Sequence, residues 1–359
     1  MNYKKTLFFI AKSLTISLEE KNRDEIEIIL KTSDVDWDAV VKVSTSHYVF
    51  PALYCNFKRA DFLKYLPADL VEYMKYITDL NRDRNTQILQ QAQELNNLLL
   101  DNNIRSIFLK GTGNLLVGVY EDIAERMVGD IDLIFLKEDY PKAITLLREF
   151  GYDKELPLEL PNRHYPRIIR KDSIAGVEIH KELLIEKYAN EFNYSFVVKD
   201  SQVIKGVTVL SYANKLNLSI IASQINDSGF YYKRMELRNA YDVFLLSKKT
   251  SAKDAMITLN NLTNPLNCFL AACYEVFNKV ESLEYNNTKK AAFYLSVFSN
   301  QFTNIKKTKR RHKLIKRYLV FKYRVNIIYK SVTHEVYRVW LFKKLSSFDF
   351  YKRRLGIKK

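Results

Sequence analysis

Seven residues, Gly129-Asp130-Ile131-Asp132-Leu133-Ile134-Phe135, constrain this chain more than any other stretch. Two aspartates alternate with apolar residues behind a glycine, the period of a strand with one apolar face. Asp130 and Asp132 then share one face, while Ile131 and Leu133 fill the other. Aspartate is depleted in strands, so two on one face need a reason. The best reason is a hard divalent cation such as Mg²⁺, which takes oxygen ligands and completes its shell with water and substrate phosphates.

Around this strand the middle third reads as strand, helix, strand, helix, strand, strand. Ile104 to Leu109 is an apolar run that reads as a strand and ends in the loop Lys110-Gly111-Thr112-Gly113, with a helix following through Val119. Tyr140 to Glu149 is a helix, closed by Gly151 in the position just past a helix end. Pro157, Pro161 and Pro166 mark a loop carrying Arg163 and His164. Arg167 to Arg170 and Gly176 to Leu184 read as a hairpin pair, with Glu178, His180 and Glu182 on one face. Helices packed on a small mixed sheet, an α+β class, are the expectation.

The flanks are helical. Leu7, Ile10, Ala11, Leu14 and Leu18 recur at helical spacing, as do Val71, Met74, Ile77 and Thr78, then Ile88, Ala92, Leu95 and Leu99. Asp34 or Asp36 caps a helix start, and the polar run Asn81 to Gln93 predicts a long, largely exposed helix ending near Asn102-Asn103. After residue 212 the helical period returns in Leu216 and Ile220, then Leu237, Tyr241, Phe244 and Leu245.

Several function classes are excluded or unsupported. Lys12 interrupts the apolar run Leu7 to Ala11 and no small-residue cleavage site follows, which reads as the first helix of a cytoplasmic protein. No segment reaches the roughly 18 apolar residues of a membrane-spanning helix. Cys55, Cys268 and Cys273 are badly spaced for zinc or a disulfide framework and read as buried packing residues. The five histidines form no His-x-x-x-His pair. Nor is there a Gly-rich loop of the Walker type.

Metal-assisted phosphoryl or nucleotidyl transfer needs carboxylates that clamp a metal, a loop that approaches the triphosphate, and basic groups for developing charge. Asp130 and Asp132 form the clamp, and Glu178 on a nearby strand is the candidate third carboxylate and proton acceptor. Lys110, Gly111 and Thr112 are placed to meet phosphates. Arg126, four residues before Asp130, reaches toward a phosphate or toward the acidic pair. Arg238 and Asp242, four apart on a helix, are expected to pair with each other.

At these residues a resemblance emerges. Leu109-Lys-Gly111, Arg126-x-x-x-Asp130-Ile-Asp132-Leu-Ile134, a helix ending in Phe150-Gly151-Tyr152, and Val177-Glu-Ile-His180 together resemble a bacterial nucleotidyltransferase family of the polymerase-beta superfamily. The similarity runs from about Ile104 to Leu184. Arg238 to Asp242 also resembles the Arg-x-x-x-Asp helix of related abortive-infection nucleotidyltransferases. Gly111-Thr112 departs from the usual Gly-Ser or Gly-Gly, although threonine keeps the hydroxyl. The resemblance implies a minimal nucleotidyltransferase fold that binds an NTP, ATP first among candidates, with Mg²⁺ or Mn²⁺ on Asp130, Asp132 and Glu178. The corresponding division is a helical region 1–103, a nucleotidyltransferase core 104–212, a helical domain 213–304 and a basic tail 305–359. A copy of the fold that only binds nucleotide or RNA is the alternative.

The net charge of +16 is concentrated in that tail, where 19 Lys or Arg stand against Glu335 and Asp349. Leu314, Tyr318, Phe321, Val325, Ile328, Val332 and Val336 step by four and three, which predicts a basic amphipathic helix. Cations interleaved with aromatics suit RNA and suit an anionic membrane surface equally. The second case would make the chain a peripheral protein at the inner membrane, beside envelope-polysaccharide enzymes.

Overall fold

The computed structural model describes residues 2–153 and 163–346. Helices Tyr3–Ser13, Glu20–Thr32, Trp37–Ser46, Phe50–Arg59 and Ala68–Asp101 precede the sheet. Asp36 caps the third, accepting the Ala39 N–H at 3.0 Å. The long helix buries Met74, Ile88, Ala92, Leu95 and Leu99, as their spacing requires, and Asn103 leaves it with a positive φ of 59°.

The polar run of that helix departs from expectation. Asn81, Asn85 and Gln91 are buried. Asn81 and Asn85 donate to the carbonyls of Ala124, Ile123 and Arg126, and Gln91 bonds both backbone groups of Ala175 in spirit of a short strand: it donates to the carbonyl and accepts the N–H. Asn96 reaches the Gly206 carbonyl. Loops beside the sheet have backbone groups that need partners once buried, and amides that hydropathy reads as solvent-facing supply them.

The sheet has the order β3-β2-β1-β5-β4, with β1 Ser106–Phe108, β2 Asp130–Phe135, β3 Gly176–His180, β4 Gln202–Ile204 and β5 Val207–Val209. β1 runs antiparallel to β2 and parallel to β5, β2 and β3 are parallel, and β4 and β5 form a hairpin. Lys205 and Gly206 at its turn both have positive φ, 50° and 79°, as primed hairpin turns require. These three-residue strands are too short to show a period in the sequence.

The expected hairpin of Arg167–Arg170 with Gly176–Leu184 is only partly present. The strand ends at His180, and the preceding segment meets it through isolated antiparallel bridges, Ile168 to Val177 and His164 to His180. The ladder of β3 is spent on β2 instead.

Helices Tyr212–Ile221, Leu237–Ser247, Ala252–Ile257, Thr263–Val276 and Lys289–Asn300 follow. One contiguous apolar cluster runs from Leu7 to Phe298 and takes in both helical flanks and the sheet. All three cysteines are buried. The architecture is α+β, a small mixed sheet among many packed helices. Beyond it lie helices Ile305–Thr333 and Glu335–Leu345. Among the described residues no helix is long and apolar enough to cross a membrane. Pro157 and Pro161 of the predicted loop, and Phe348, Tyr351 and the last cations of the tail, lie outside the described residues.

Candidate active site

The parallel register sets Asp130 opposite Gly176, Asp132 opposite Glu178 and Ile134 opposite His180. Laterally paired residues project to the same side of a sheet, so Asp130, Asp132, Glu178 and His180 share one face. Ile131, Leu133, Val177 and Ile179 are buried beneath the other. A one-residue slip of either strand would drive carboxylates into the core, so the apolar alternation itself holds the acidic face in place.

Asp132 is the centre of this face. His180 Nε2 lies 2.8 Å from its Oδ1, and Lys110 Nζ donates to the same oxygen at 2.5 Å. Glu178 Oε2 stands 3.8 Å from Lys110 Nζ and 4.0 Å from His180 Nε2. Ligand atoms of Asp132, Glu178 and His180 all lie within 4.8 Å of one another. Asp130 joins the face but not this cluster: Arg167 Nε lies 2.5 Å from its Oδ1. Arg167 reaches it by crossing Gly176, where a Cβ would stand 2.2 Å from Nε.

The electrostatics separate the carboxylates. Burial works to raise the Asp132 pKa, but the Lys110 charge and the His180 hydrogen bond outweigh it and hold the carboxyl below the usual range. Burial raises Glu178, with Asp132 adding to the effect and Lys110 opposing it. Asp130 is raised by burial against the pull of Arg167. His180 is lowered by burial although Asp132 favours its protonation. The consistent state is an ionised Asp132 accepting from the Nε2–H of a neutral imidazole. His180 Nδ1 is then a buried acceptor, and it has no hydrogen-bond partner among the described residues.

The Lys110 stretch is not a loop. Lys110–Leu116 is helical from its first residue, and the strand-to-helix turn is made by Lys110 itself at φ 45°. The Leu109 N–H bonds the Asp132 carbonyl at 2.9 Å, which ties this turn to β2. Thr112 Oγ1 donates to the Asp130 carbonyl at 3.0 Å. Both glycines serve packing: a Cβ at Gly113 would lie 2.6 Å from the Phe108 carbonyl oxygen, and one at Gly111 3.0 Å from Val128 Cγ2.

Arg126 is placed differently from expectation. It is buried, and its guanidinium is engaged by Asp242, with Nε 3.0 and 3.1 Å from the two carboxylate oxygens and Nη2 at 3.0 Å. Tyr120 Oη also donates to Asp242. The Arg238–Asp242 pair foreseen on one helix is therefore replaced by a tertiary one, and Arg238 stands 3.8 Å from Glu236. Nearby, Arg59 and Tyr241 meet Glu125. Together with Asn81 and Asn85, these contacts fix the segment that leads into β2. Its spacing from Asp130 does not reveal which acid Arg126 meets; the packing of Leu237–Ser247 does.

Arg167 is the site neighbour that no sequence signal marks, because its partner is set by the bridge of Ile168 to Val177. His164, from the proline-marked loop, lies with its ring 5.6 Å from that of His180. Two carboxylates and an imidazole are a donor set that a divalent ion accepts, the oxygens suiting Mg²⁺ and the imidazole extending the range toward Mn²⁺. The grouping of Asp132, Glu178 and His180 is consistent with a divalent ion, and it differs from the expected set in holding His180 where Asp130 was expected.

Neither a search of curated proteins nor one of solved structures returns a match. A family model described as uncharacterised nucleotidyltransferase matches residues 33–278. That span holds the Ala68–Asp101 helix, the whole sheet and the Asp242 helix, the parts that position the acidic face. By this match over well more than half its length, the chain belongs to the uncharacterised nucleotidyltransferase family.

Proposed function

We propose that the protein transfers a nucleoside monophosphate from an NTP, with ATP the first donor to test, to a hydroxyl acceptor and releases pyrophosphate. The convergence of Asp132, Glu178 and His180 on one sheet face, beside Lys110, supports this most directly. A divalent ion bound there, Mg²⁺ or Mn²⁺, supplies Lewis acidity toward phosphoryl oxygens. Asp132 would be its ionised ligand, with Asp130 and Glu178 as the further carboxylates. His180 Nε2 orients the Asp132 carboxylate, as residues behind a ligand commonly do.

Glu178 is the group we assign to proton removal from the acceptor hydroxyl. Its raised pKa brings it nearer the operating pH than an ordinary carboxylate, which favours a general base. Lys110 Nζ offsets triphosphate charge. Gly111 and Thr112 contribute first-turn amides, which have no partner within their own helix; the Thr112 hydroxyl is already used on Asp130. Arg126, its guanidinium held by Asp242, is assigned to support the segment that leads into the site. In the proposed division, 104–212 holds the chemistry and the helical regions 1–103 and 213–304 shape the acceptor site.

The test is transfer of label from α-labelled NTP to an extract of cellular RNA and protein in the presence of Mg²⁺. The wild type labels a discrete product, and the Asp130→Asn, Asp132→Asn double variant does not. Equal labelling by the double variant overturns the assignment.

A further inference from the structure

The helix Ile305–Thr333 contains eleven Lys or Arg and no acidic residue. Of its residues only Ile327 is buried. It is fastened to the body at a few points: Arg311 donates to the Tyr232 carbonyl, Tyr318 lies against Tyr231, and Lys330 pairs with Glu186. The apolar residues Leu314, Phe321, Val325, Ile328 and Val332 all stay exposed, Phe321 at 66% and Val332 at 72%. At 3.6 residues per turn they fall in one narrow stripe.

The cations border this stripe. Arg310, Arg317 and Arg324 recur about two turns apart along one edge, and Lys322 lies on the other. An uncovered aliphatic stripe between cationic edges is the pattern of a helix lying in a bilayer interface, with side chains among the acyl boundary and cations at anionic headgroups. RNA would use the cations and aromatics, but Leu314, Val325, Ile328 and Val332 have no π-face on which a base can stack. A second copy of the helix would bring two all-cationic edges together, which like charge opposes.

We propose that helix Ile305–Thr333 docks the protein on an anionic lipid bilayer, its Leu314 to Val332 stripe inserted at the interface and its Lys and Arg edges on acidic headgroups. The proposal is independent of the chemistry at Asp132. The full-length chain is tested by flotation with vesicles of phosphatidylcholine alone or of equal parts phosphatidylcholine and phosphatidylglycerol, with sedimentation and binding to a random single-stranded RNA measured in parallel.

The wild type floats with the anionic vesicles only, and less so at high salt. Phe321→Glu with Ile328→Glu lowers the bound fraction about tenfold or more by placing charge in the apolar stripe. Arg317→Glu with Arg324→Glu lowers it comparably through the headgroup contacts. All four side chains are exposed, so circular dichroism and melting stay as in the wild type. Absence of flotation, or flotation unchanged by the apolar pair, overturns the proposal. RNA retention without vesicle binding also overturns it, as does a dimer that dissociates with the apolar pair and never floats.

Discussion

Replacing Lys215 by methionine should make the protein more stable at neutral pH and remove part of its alkaline stability gain. Lys215 lies on helix Tyr212–Ile221, 3% exposed, with Nζ donating to the Gly113 carbonyl at 3.0 Å. Burial pushes its pKa down to about 7, against an ordinary value of about 10.4. Between those values the unfolded chain binds a proton that the folded chain has released. Stability therefore rises with pH across that window, by about 1.4 kcal/mol per unit. At pH 7 burying the group costs roughly 4 kcal/mol. Methionine keeps the aliphatic volume and forfeits one hydrogen bond, about 1 kcal/mol. The variant should be about 3 kcal/mol more stable near pH 7, with that advantage shrinking by about 2–3 kcal/mol toward pH 9.5. Urea unfolding of both proteins at the two pH values measures it, and the difference cancels titrations they share. Parallel pH–stability curves, or a less stable variant at both pH values, would refute the reasoning.

Three further outcomes follow from the same structure. Arg126→Met should cost about 3–5 kcal/mol by leaving the buried Asp242 carboxylate without its counter-charge, while adding Asp242→Leu should recover much of it; a urea-denaturation double-mutant cycle reads the coupling, and simple additivity would contradict the pairing. Gly113→Ala should cost about 1–3 kcal/mol against the Phe108 carbonyl, whereas Gly129→Ala, with nothing within 4 Å of its Cβ, should stay within about 0.5 kcal/mol; equal melting temperatures would count against the packing role of Gly113. His47, pushed down to about 4 by burial, is neutral in the fold and protonates more readily once unfolded. Its contribution is complete above about pH 6.5, and roughly 3 kcal/mol is lost as pH falls toward 4; His47→Gln should lack that part of the acid limb in pH-dependent unfolding.

The Asp130–Asp132 strand, the helix capped by Asp36, the Tyr140–Glu149 helix and the shared phase of Glu178 and His180 are legible in the sequence because each depends on a local period or a cap. A strand alternates and a helix repeats every 3.6 residues wherever it sits. The α+β class follows from the order of those periods. Partners are another matter. Arg126 meets Asp242, Arg167 crosses Gly176 to reach Asp130, and Asn81, Asn85 and Gln91 turn inward to loop backbone. Each of these contacts joins residues far apart in the chain, and hydropathy cannot distinguish a polar group facing water from one satisfied inside. The sequence by itself determined that this protein carries an acidic strand face with a lysine turn beside it. Tertiary structure decided that Asp132 is the centre of that face, since only the β2–β3 register brings Glu178 and His180 within reach of it.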